Sequence, residues 1–560
     1  MKIYDCVPGF EFDEKTDLQQ SPVWFLDGTH SVPPWTPMFG WLWINFCRHG
    51  MQYGAETLQL PTVHGWDWRF KDGGAYLTLL LVGSEEEKKA REAKFTQAIR
   101  PFVEDYDKLW TGLLEELFVR YKKIKAVDGE KATQIELLEN FEYAIATCRR
   151  MWEIHMYMMY GTYTPFVLFE KLCKHLLNID DTHPDFQKLM CGFDNESFRV
   201  DRALCDYAQK LRDIGMEATL QATAPKDWEA KLQATDKGRE FLKEFAVFLD
   251  TKAGWRMERM AEICLPTWAE DLPQAFDKIA VYLKAGEKFD LEKKRLALEQ
   301  ERKKTEVELL AKVTPEQRGW FSTLMKIAQN CSRFSEEHNH YLDQNTHALL
   351  RKTCLDMGNR FAAAGTTSER DDIFFLMPDE VRKAGINPGQ FNLKGIVERR
   401  RAEWTEWNKN GNPPVILRDD FSMPQAMEVM VKSMDPIALK VVVGTMPEAR
   451  PDLKADLFGT CGSAGVAEGI ARVVFKEEDL ATIQNGDILV AVSTSPAWTP
   501  IFGMIKGVVV DRGGSLSHAA IVGREYGIPV VMNVFEGTAK IKSGQRIKVD
   551  ANLGTVVILS

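Results

Sequence analysis

No apolar run in this sequence is long enough to matter to a membrane. The longest, ILVAV at 488–492 and GVVV at 507–510, are strand-sized, against the ~18–20 residues a spanning helix needs. The opening stretch, MKIYDCVPGFEFDEK, carries no apolar signal core. The 10 cysteines are scattered singly, with no Cys-x-x-Cys and no paired spacing, which excludes a disulfide framework or zinc ribbon. That usage predicts a reducing, cytoplasmic setting, and no metal site is expected. Positive charge is not in excess: 71 Lys and Arg against 81 Asp and Glu leave −10. A nucleic-acid coat or an anionic membrane surface is therefore not expected as a partner. Internal repeats and low-complexity tracts are missing too. What is present is an ordinary globular balance, 45% hydrophobic, 27% charged and 11% aromatic. Its 560 residues leave room for three or four domains at roughly 100–200 residues each.

Four textures follow one another. Residues 1–84 are rich in Trp, Pro and Gly and predict irregular structure with short strands. Residues 85–407 turn helical, with apolar residues at i, i+3, i+4 and i+7, as in FTQAIRPFVEDYDKLWTGLLEELFVRYKKI. Within them, 287–312 is so charged that it predicts a long, mostly exposed helix or helical hairpin. Residues 408–455 open with NKNGNPPVILRDDFSMP, which is linker chemistry. From 456 to 560, short β-branched runs alternate with glycine turns around one amphipathic helix near 517–526, predicting a compact α/β domain.

The chemistry is concentrated in GGSLSHAAIVGREYGIPVVMN, residues 513–533. A buried strand ends near Asp511, and Gly513 and Gly514 make a tight turn. Ser515 or Ser517 caps a helix whose first turn holds His518. Gly527 stops that helix and Pro529 begins the next strand. A histidine at a helix start sits beside free backbone N–H groups and the positive end of the helix dipole. An anion, phosphate above all, is favoured there, and the imidazole stays neutral and nucleophilic near pH 7. On spacing alone, such a histidine is either structural or catalytic.

The same segment resembles the active-site signature of the swivelling phosphohistidine domain found in phosphoenolpyruvate synthase, pyruvate phosphate dikinase and their relatives. The resemblance covers the whole C-terminal domain. Gly465-Val-Ala-Glu-Gly469-Ile-Ala-Arg472, Gly486-Asp-Ile-Leu-Val490 and Thr494-Ser-Pro-Ala-Trp498-Thr-Pro500 lie upstream, and Gly544-Gln-Arg546 and Val549-Asp550 downstream, in the family's order. It implies that His518 is a phosphocarrier, forming a covalent phosphohistidine. Gly513, Gly514, Ser515, Ser517 and Ala519 would hold the phosphate, with Arg472 as counter-charge. Enzymes of the family that act on pyruvate have Thr two residues before the histidine. Leu516 stands here, as in the rifampin phosphotransferases and phenylphosphate synthases.

A complete enzyme of the family also has an ATP-grasp module, and no region here resembles one; the N-terminal 400 residues lack a glycine-rich phosphate loop followed by lysine. The resemblance thus implies a separate ATP-grasp subunit that binds ATP and Mg²⁺ and loads the histidine. Residues 1–407 resemble the acceptor-binding region of the same branch, through WFLDGTH at 24–30 with Pro34-Trp-Thr-Pro37, Gly254-Trp-Arg256 with Leu265-Pro-Thr-Trp268, and 349–378. In that region EEHNHY at 336–341 suits acid–base chemistry: Glu336 and His340 are i, i+4 on one face, Glu337 and Tyr341 on the next. Rifampin-type relatives carry an arginine and a lysine near here, so a carboxylate–imidazole pair replaces fixed positive charge.

His340 or His338 is the expected base for an acceptor hydroxyl. Arg333, Arg351 or Lys352 would offset phosphoryl charge, and His30, Glu336 and Glu337 complete the acceptor-side set. His49, His64, His155, His175, His183 and His347 are expected to be structural. Aromatic residues of the N-terminal part, including Trp24, Trp35, Trp43, Trp66 and Trp68, permit an aromatic-lined pocket, although most suit a core. The expected architecture is multidomain α+β, a mainly helical acceptor-binding region followed by a swivelling β/β/α phosphohistidine domain. The expected function is a two-component, AMP- and phosphate-forming phosphotransferase acting on a phenolic hydroxyl. Another alcohol or antibiotic hydroxyl is the alternative acceptor, and a non-catalytic phosphorelay the alternative class.

Overall fold

Pro37 fixes the first turn of a helix that the aromatic and glycine content of its sequence would not predict. In the computed structural model of the chain this helix, α1, spans Pro37–Leu58, where irregular structure was expected. Its glycines explain the difference. A Cβ on Gly50 would lie 2.4 Å from the Trp152 carbonyl oxygen, and one on Gly54 would lie 2.9 Å from Met156. The helix is held by close backbone packing rather than by propensity, which its glycines lower. Gly50→Ala should therefore cost about 1–3 kcal/mol through overpacking, read as a lower urea midpoint with an unchanged slope.

The structure describes residues 2–409 and 453–559 apart from 6, 22, 29, 260–261, 287–289 and 476, together with 413, 414, 416, 417 and 447. The expected hinge at 408–455 falls for the most part outside the described residues. In chain order the principal elements are β1 (Phe25–Leu26), α1, β2 (Val63–Lys71), β3 (Gly74–Leu81), α2 (Tyr106–Lys125) and α3 (Gln134–Leu177). They continue with α4 (Glu196–Asp213), α5 (Asp236–Phe248), α6 (Leu272–Ala285), α7 (Leu291–Lys312), α8 (Arg318–His338), α9 (Asn345–Ala363) and α10 (Lys394–Lys409). Then come β4 (Leu457–Phe458), β5 (Thr460–Ser463), β6 (Val466–Val474), β7 (Ile488–Ala491), β8 (Gly507–Val510), α11 (His518–Tyr526), β9 (Val530–Met532), β10 (Arg546–Asp550) and β11 (Thr555–Ile558). No helix among the described residues is long and apolar enough to cross a membrane.

The chain divides into two units that interleave along the sequence. One comprises 1–161, 259–266 and 341–435; the other comprises 162–258, 267–340 and 436–560. The expected borders at 84/85 and 407/408 coincide with neither. The first unit sets α1 against a small antiparallel sheet ordered β1-β3-β2. Its β2–β3 turn is Asp72-Gly73, both at positive φ (48° and 86°), the two-residue geometry that matches strand twist.

The second unit joins α4 to α8 with the eight-stranded C-terminal sheet, ordered β4-β11-β10-β6-β7-β8-β9-β5. The centre, β6 to β9, is parallel, and the flanks are antiparallel. Alternate residues of β7 and β8 are buried on both faces. Ile488, Val490 and Val509 enter one core. Leu489, Ala491, Val508 and Val510 enter the other, which runs on through Ala519 and Ala520 of α11 into Trp268, Phe276 and Tyr282 of the helical part. As expected, α7 is largely exposed, burying only Leu291, Thr305 and Leu309.

Candidate active site around His518

In open parallel sheets the functional crevice lies beyond the carboxyl ends of the strands, and His518 is there. It is the first residue of α11, reached from β8 through a loop pinned from three sides. The Gly513 N–H donates to Asn533 Oδ1 at 3.1 Å. Gly513 itself holds φ +149°, and a Cβ there would approach Ser517 Oγ to 2.8 Å, so the turn requires glycine. The buried Arg524 guanidinium donates to the carbonyls of Ser515 (2.7 Å) and Gly462 (2.8 Å). Ser517 occupies the N-cap position without a side-chain cap bond, since its hydroxyl turns to Met532 Sδ at 3.6 Å. The first amides of α11 are thus not capped by that side chain. Gly527, at φ +64°, ends the helix as expected.

The imidazole itself is half-buried rather than on an exposed helix start. Its Nδ1 lies 2.9 Å from Thr494 Oγ1 and its Nε2 3.1 Å from Thr499 Oγ1, and the ring of Phe502 meets it edge-on. A ring with one hydroxyl at each nitrogen accommodates the neutral form, donating at one side and accepting at the other. Its pKa agrees: burial pushes it down to about 3, and the Arg256 charge acts the same way. A lone pair is therefore available on one nitrogen throughout the physiological range.

Arg256 is the centre of a buried polar cluster on the helical side of this unit. It follows the π-turn Leu249–Ala253, is 4% exposed, and stacks at 5.3 Å over the ring of Trp268. Its backbone carbonyl accepts from the Trp268 N–H at 2.8 Å. Asp201 on α4 and Glu336 on α8 share its field. Burial raises Asp201 to about 7 against the pull of Arg256, Tyr526, Tyr282 and Lys278. Burial raises Glu336 to about 8; Arg256 lowers it, while Glu525 and Asp201 push it further up. The Tyr526 hydroxyl donates to Asp201 Oδ2 at 3.3 Å, and the Tyr282 and Tyr526 hydroxyls lie 3.2 Å apart. These bonds latch the far end of α11 to α4 and α6. Glu525, raised to about 7 by burial, accepts from the Gly192 N–H at 2.9 Å.

A carboxyl whose folded pKa is raised stabilises fully below its unfolded value, and that stability is lost as pH rises through the folded pKa. For Glu336 the window runs from 4.5 to about 8. Glu336→Gln, which keeps the neutral form, is expected to melt like the wild type near pH 4 and several degrees higher at pH 9. Equal loss of Tm in both proteins between those pH values would contradict the burial of this carboxyl.

Of the residues the sequence pointed to, the structure gathers some and commits others elsewhere. His340 is buried, Trp255 Nε1 donates to its carbonyl at 3.1 Å, and burial with Arg256 and Lys252 drives its pKa well below the usual range. Glu336 and His340 thus both face Arg256, although a π-turn, Asn339–Gln344, replaces the ideal α spacing after His338. His338 is half-buried, and its Nδ1 donates to the Phe334 carbonyl at 2.8 Å, which places its basic lone pair on Nε2. Arg333 faces Glu337 at 3.8 Å on the same helix.

Arg472 is not the counter-charge. Its guanidinium pairs with Asp487 at 2.7 Å, before the start of β7 and so at the opposite end of the strands from His518. Arg351 is spent on the carbonyls of Ile263 and Cys264, at 3.1 and 2.8 Å, and Lys352 on the Val127 carbonyl and Asp356, at 2.9 and 2.8 Å. Both belong to the first unit's scaffold. There, His30 Nδ1 pairs with Asp27 at 2.8 Å; burial opposes its protonation, but Asp27 outweighs it and raises the pKa. His155, expected to be structural, pairs with buried Asp343 at 2.9 Å. Trp24, Trp35, Trp43, Trp66 and Trp68 are buried core residues.

Thr494, Thr499, Arg256 and Asp201 were missed as site residues. The first three lie in segments that carry the family resemblance, yet nothing in their own spacing marks a role. A cleft of about 400 Å³ opens between α6 and the turn Pro496–Gly503, lined by Trp228, Gln274, Lys278, Ile483, Ile501 and Met504 and by none of these four residues.

Comparisons with known proteins bear on this geometry. Residues 483–554, which include His518 and both threonines, match the mobile domain of PEP-utilising enzymes. Residues 153–336, which include Asp201, Arg256 and Glu336, match the rifampicin phosphotransferase fourth domain. The chain is 28% identical to the chondramide synthase of Chondromyces crocatus, over 96% of this chain and 14% of that one. It is 27% identical to an uncharacterised phosphotransferase of Bacillus subtilis strain 168, over 79% and 51%. With the rifampicin phosphotransferase of the same strain it shares 33% identity over 41% and 24%. It spans about half or less of the length of each of these relatives. With the histidine in the segment matching the mobile domain and the helical part matching the phosphotransferase branch, the chain is similar over these two segments to the PEP-utilising, dikinase-related enzymes.

Proposed function

We propose that this chain is the phosphoryl-carrying and acceptor-binding subunit of an ATP-dependent small-molecule phosphotransferase, with His518 as the carrier and a phenolic hydroxyl as the acceptor. One observation carries it: a neutral imidazole at a helix start, beyond the carboxyl ends of a parallel sheet, with a threonine hydroxyl at each nitrogen. Such a nitrogen can attack phosphorus without first losing a proton. Amides of the 513–519 turn other than those of Gly513, which bonds Asn533, and Ser517, which bonds the Gly514 carbonyl, then bind the phosphoryl oxygens.

ATP and Mg²⁺ belong to a separate ATP-grasp subunit that loads His518 and releases AMP and phosphate. In the second half-reaction the acceptor oxygen attacks phosphorus in line. The P–O bond forms as the P–N bond breaks, the electron pair returns to the imidazole, and the hydroxyl proton passes to a base. His338 is the better base of the two histidines, since burial and the Arg256 charge leave His340 too weakly basic. The cleft against Pro500 and Ile501, on the turn that carries Thr499, has room for a small aromatic acceptor. The cell compartment of such an enzyme is the cytoplasm.

The match of 153–336 to a rifampicin phosphotransferase domain favours a second acceptor class, the hydroxyl of a larger natural product. A panel of phenols and polyketide hydroxyls, run with pre-phosphorylated chain, separates the two.

The purified chain with [γ-³²P]ATP or [β-³²P]ATP and Mg²⁺ is expected to gain no label. With an ATP-grasp partner it should gain label from the β position, acid-labile and base-stable as expected for phosphohistidine. ATP-dependent labelling of the chain by itself would remove the two-component scheme.

A further inference from the structure

We infer that Arg256 is the cation that binds the phosphoryl group of phospho-His518 when α11 is docked on the helical part of its unit, so that the docked site is built for the loaded histidine rather than the empty one. This rests on the reading of His518 as a phosphocarrier and names the residue that completes its site. The sequence points to Arg472 for this charge, but that side chain is neutralised by Asp487 at the other end of the sheet.

Four structural facts converge on Arg256. It is 4% exposed, and a guanidinium taken out of water is costly unless an anion or a full set of acceptors meets it. Among the described residues no carboxylate lies within ion-pair distance of that guanidinium, which meets the face of Trp268 at 5.3 Å. Trp268 belongs to the same continuous core as Ala519 and Ala520, the residues that follow His518, and as Phe502, which meets the imidazole edge-on. Asp201, which shares the field of Arg256, is tied to Tyr526 at the other end of the nine-residue helix α11, and its Oδ1 has no partner. One of the companion carboxyls of the buried cation therefore borders the helix that begins with His518, and the ring that the cation stacks on shares that helix's core.

The charge balance supports the same conclusion. Asp201 and Glu336 are held near 7 and 8, so around neutrality neither carboxyl fully cancels Arg256. Positive charge is thus left in the field of a histidine that burial first, and Arg256 after it, keep unprotonated. A phosphoryl dianion on that histidine satisfies the cation and leaves the two carboxyls protonated. Arg256 then stays on the phosphoryl oxygens while the P–N bond breaks and the P–O bond forms, offsetting charge that stays on phosphorus throughout.

The test needs neither partner nor acceptor. The intact chain is phosphorylated with potassium phosphoramidate, and the ³¹P resonance of phospho-His518 is titrated. Wild type should hold the dianion to lower pH than Arg256→Gln, whose midpoint is expected to rise by about one unit or more. Arg256→Lys, which keeps the charge and guards against misfolding of the glutamine variant, should fall between them. Arg472→Gln should titrate like the wild type. In single-turnover transfer to an acceptor, Arg256→Gln should be slower by roughly 10²-fold. Coincident titrations for wild type, Arg256→Gln and Arg256→Lys overturn the assignment, as does a shift produced by Arg472→Gln alone. Failure of the chain to gain a phosphohistidine resonance that His518→Ala abolishes would instead overturn the carrier reading beneath it.

Discussion

His518→Ala is expected to leave no acid-labile phosphate on the chain and no product, whatever the acceptor. The expected loss exceeds that of any other variant, because the variant removes the nitrogen that forms the covalent bond rather than a group that assists it. The same change has a structural side. The imidazole is half-buried, bonded at both nitrogens to Thr494 and Thr499, and meets Phe502. Alanine leaves two buried hydroxyls to find other partners, at roughly 1–3 kcal/mol each in the worst case. His518→Asn, which can still reach one threonine but cannot carry phosphate, is the matched control. Both variants should keep the wild-type circular dichroism spectrum, and neither should gain label from phosphoramidate at this position. Label of undiminished amount in the alanine variant, mapped to another residue by mass spectrometry, would remove His518 from the mechanism. Loss of label in both variants with the fold intact assigns the loss to chemistry and not to the altered packing.

What the sequence revealed and what it hid divide along a physical line. The strand–turn–helix–strand signal of 508–533 is local: Gly513, Ser517, Gly527 and Pro529 each act on the backbone within a few residues. The helix start, its stop and the flanking strands accordingly lie within one residue of their expected places. The charged face of α7 was legible for the same reason. Helix α1 was not, because its glycines are explained only by Trp152 and Met156, about a hundred positions away in the sequence. The cluster at Arg256 was hidden more deeply. Asp201, Arg256, Glu336 and His518 come from four separate segments, and nothing in the sequence brings the four together. A buried arginine looks like any other arginine until the fold removes its water. The misassigned Arg472 shows the converse: a cation near the motif in sequence, yet at the far end of the strands in space.

The base at the acceptor is where chemistry discriminates most sharply between residues that the sequence could not separate. A phenol has a pKa near ~10, so at neutral pH it is protonated and a poor nucleophile, and a positioned base typically contributes ~10²–10⁴-fold. His338 and His340 are two residues apart, but the fold treats them differently. The Nδ1 proton of His338 is held by the Phe334 carbonyl, which puts its lone pair on Nε2. His340 is buried beside Arg256 and held neutral far below its usual pKa. His338→Asn is therefore expected to label normally and to slow transfer by roughly 10²–10⁴-fold with ordinary phenols. Much of that loss should return with acidic phenols already ionised at the working pH, or on raising the pH. His340→Asn should slow transfer by a similar factor for every phenol, as expected of a side chain that shapes the surroundings of Arg256 and takes no proton. The measurement is a single-turnover chase of pre-phosphorylated chain with phenols of graded pKa, read as the slope of log rate against phenol pKa. A steep slope in His338→Asn beside a shallow one in the wild type and in His340→Asn places the proton on His338. The reverse pattern moves the base to His340, and wild-type slopes and rates in both variants move it out of α8 and its π-turn, with His30 and its Asp27 partner the next pair to vary.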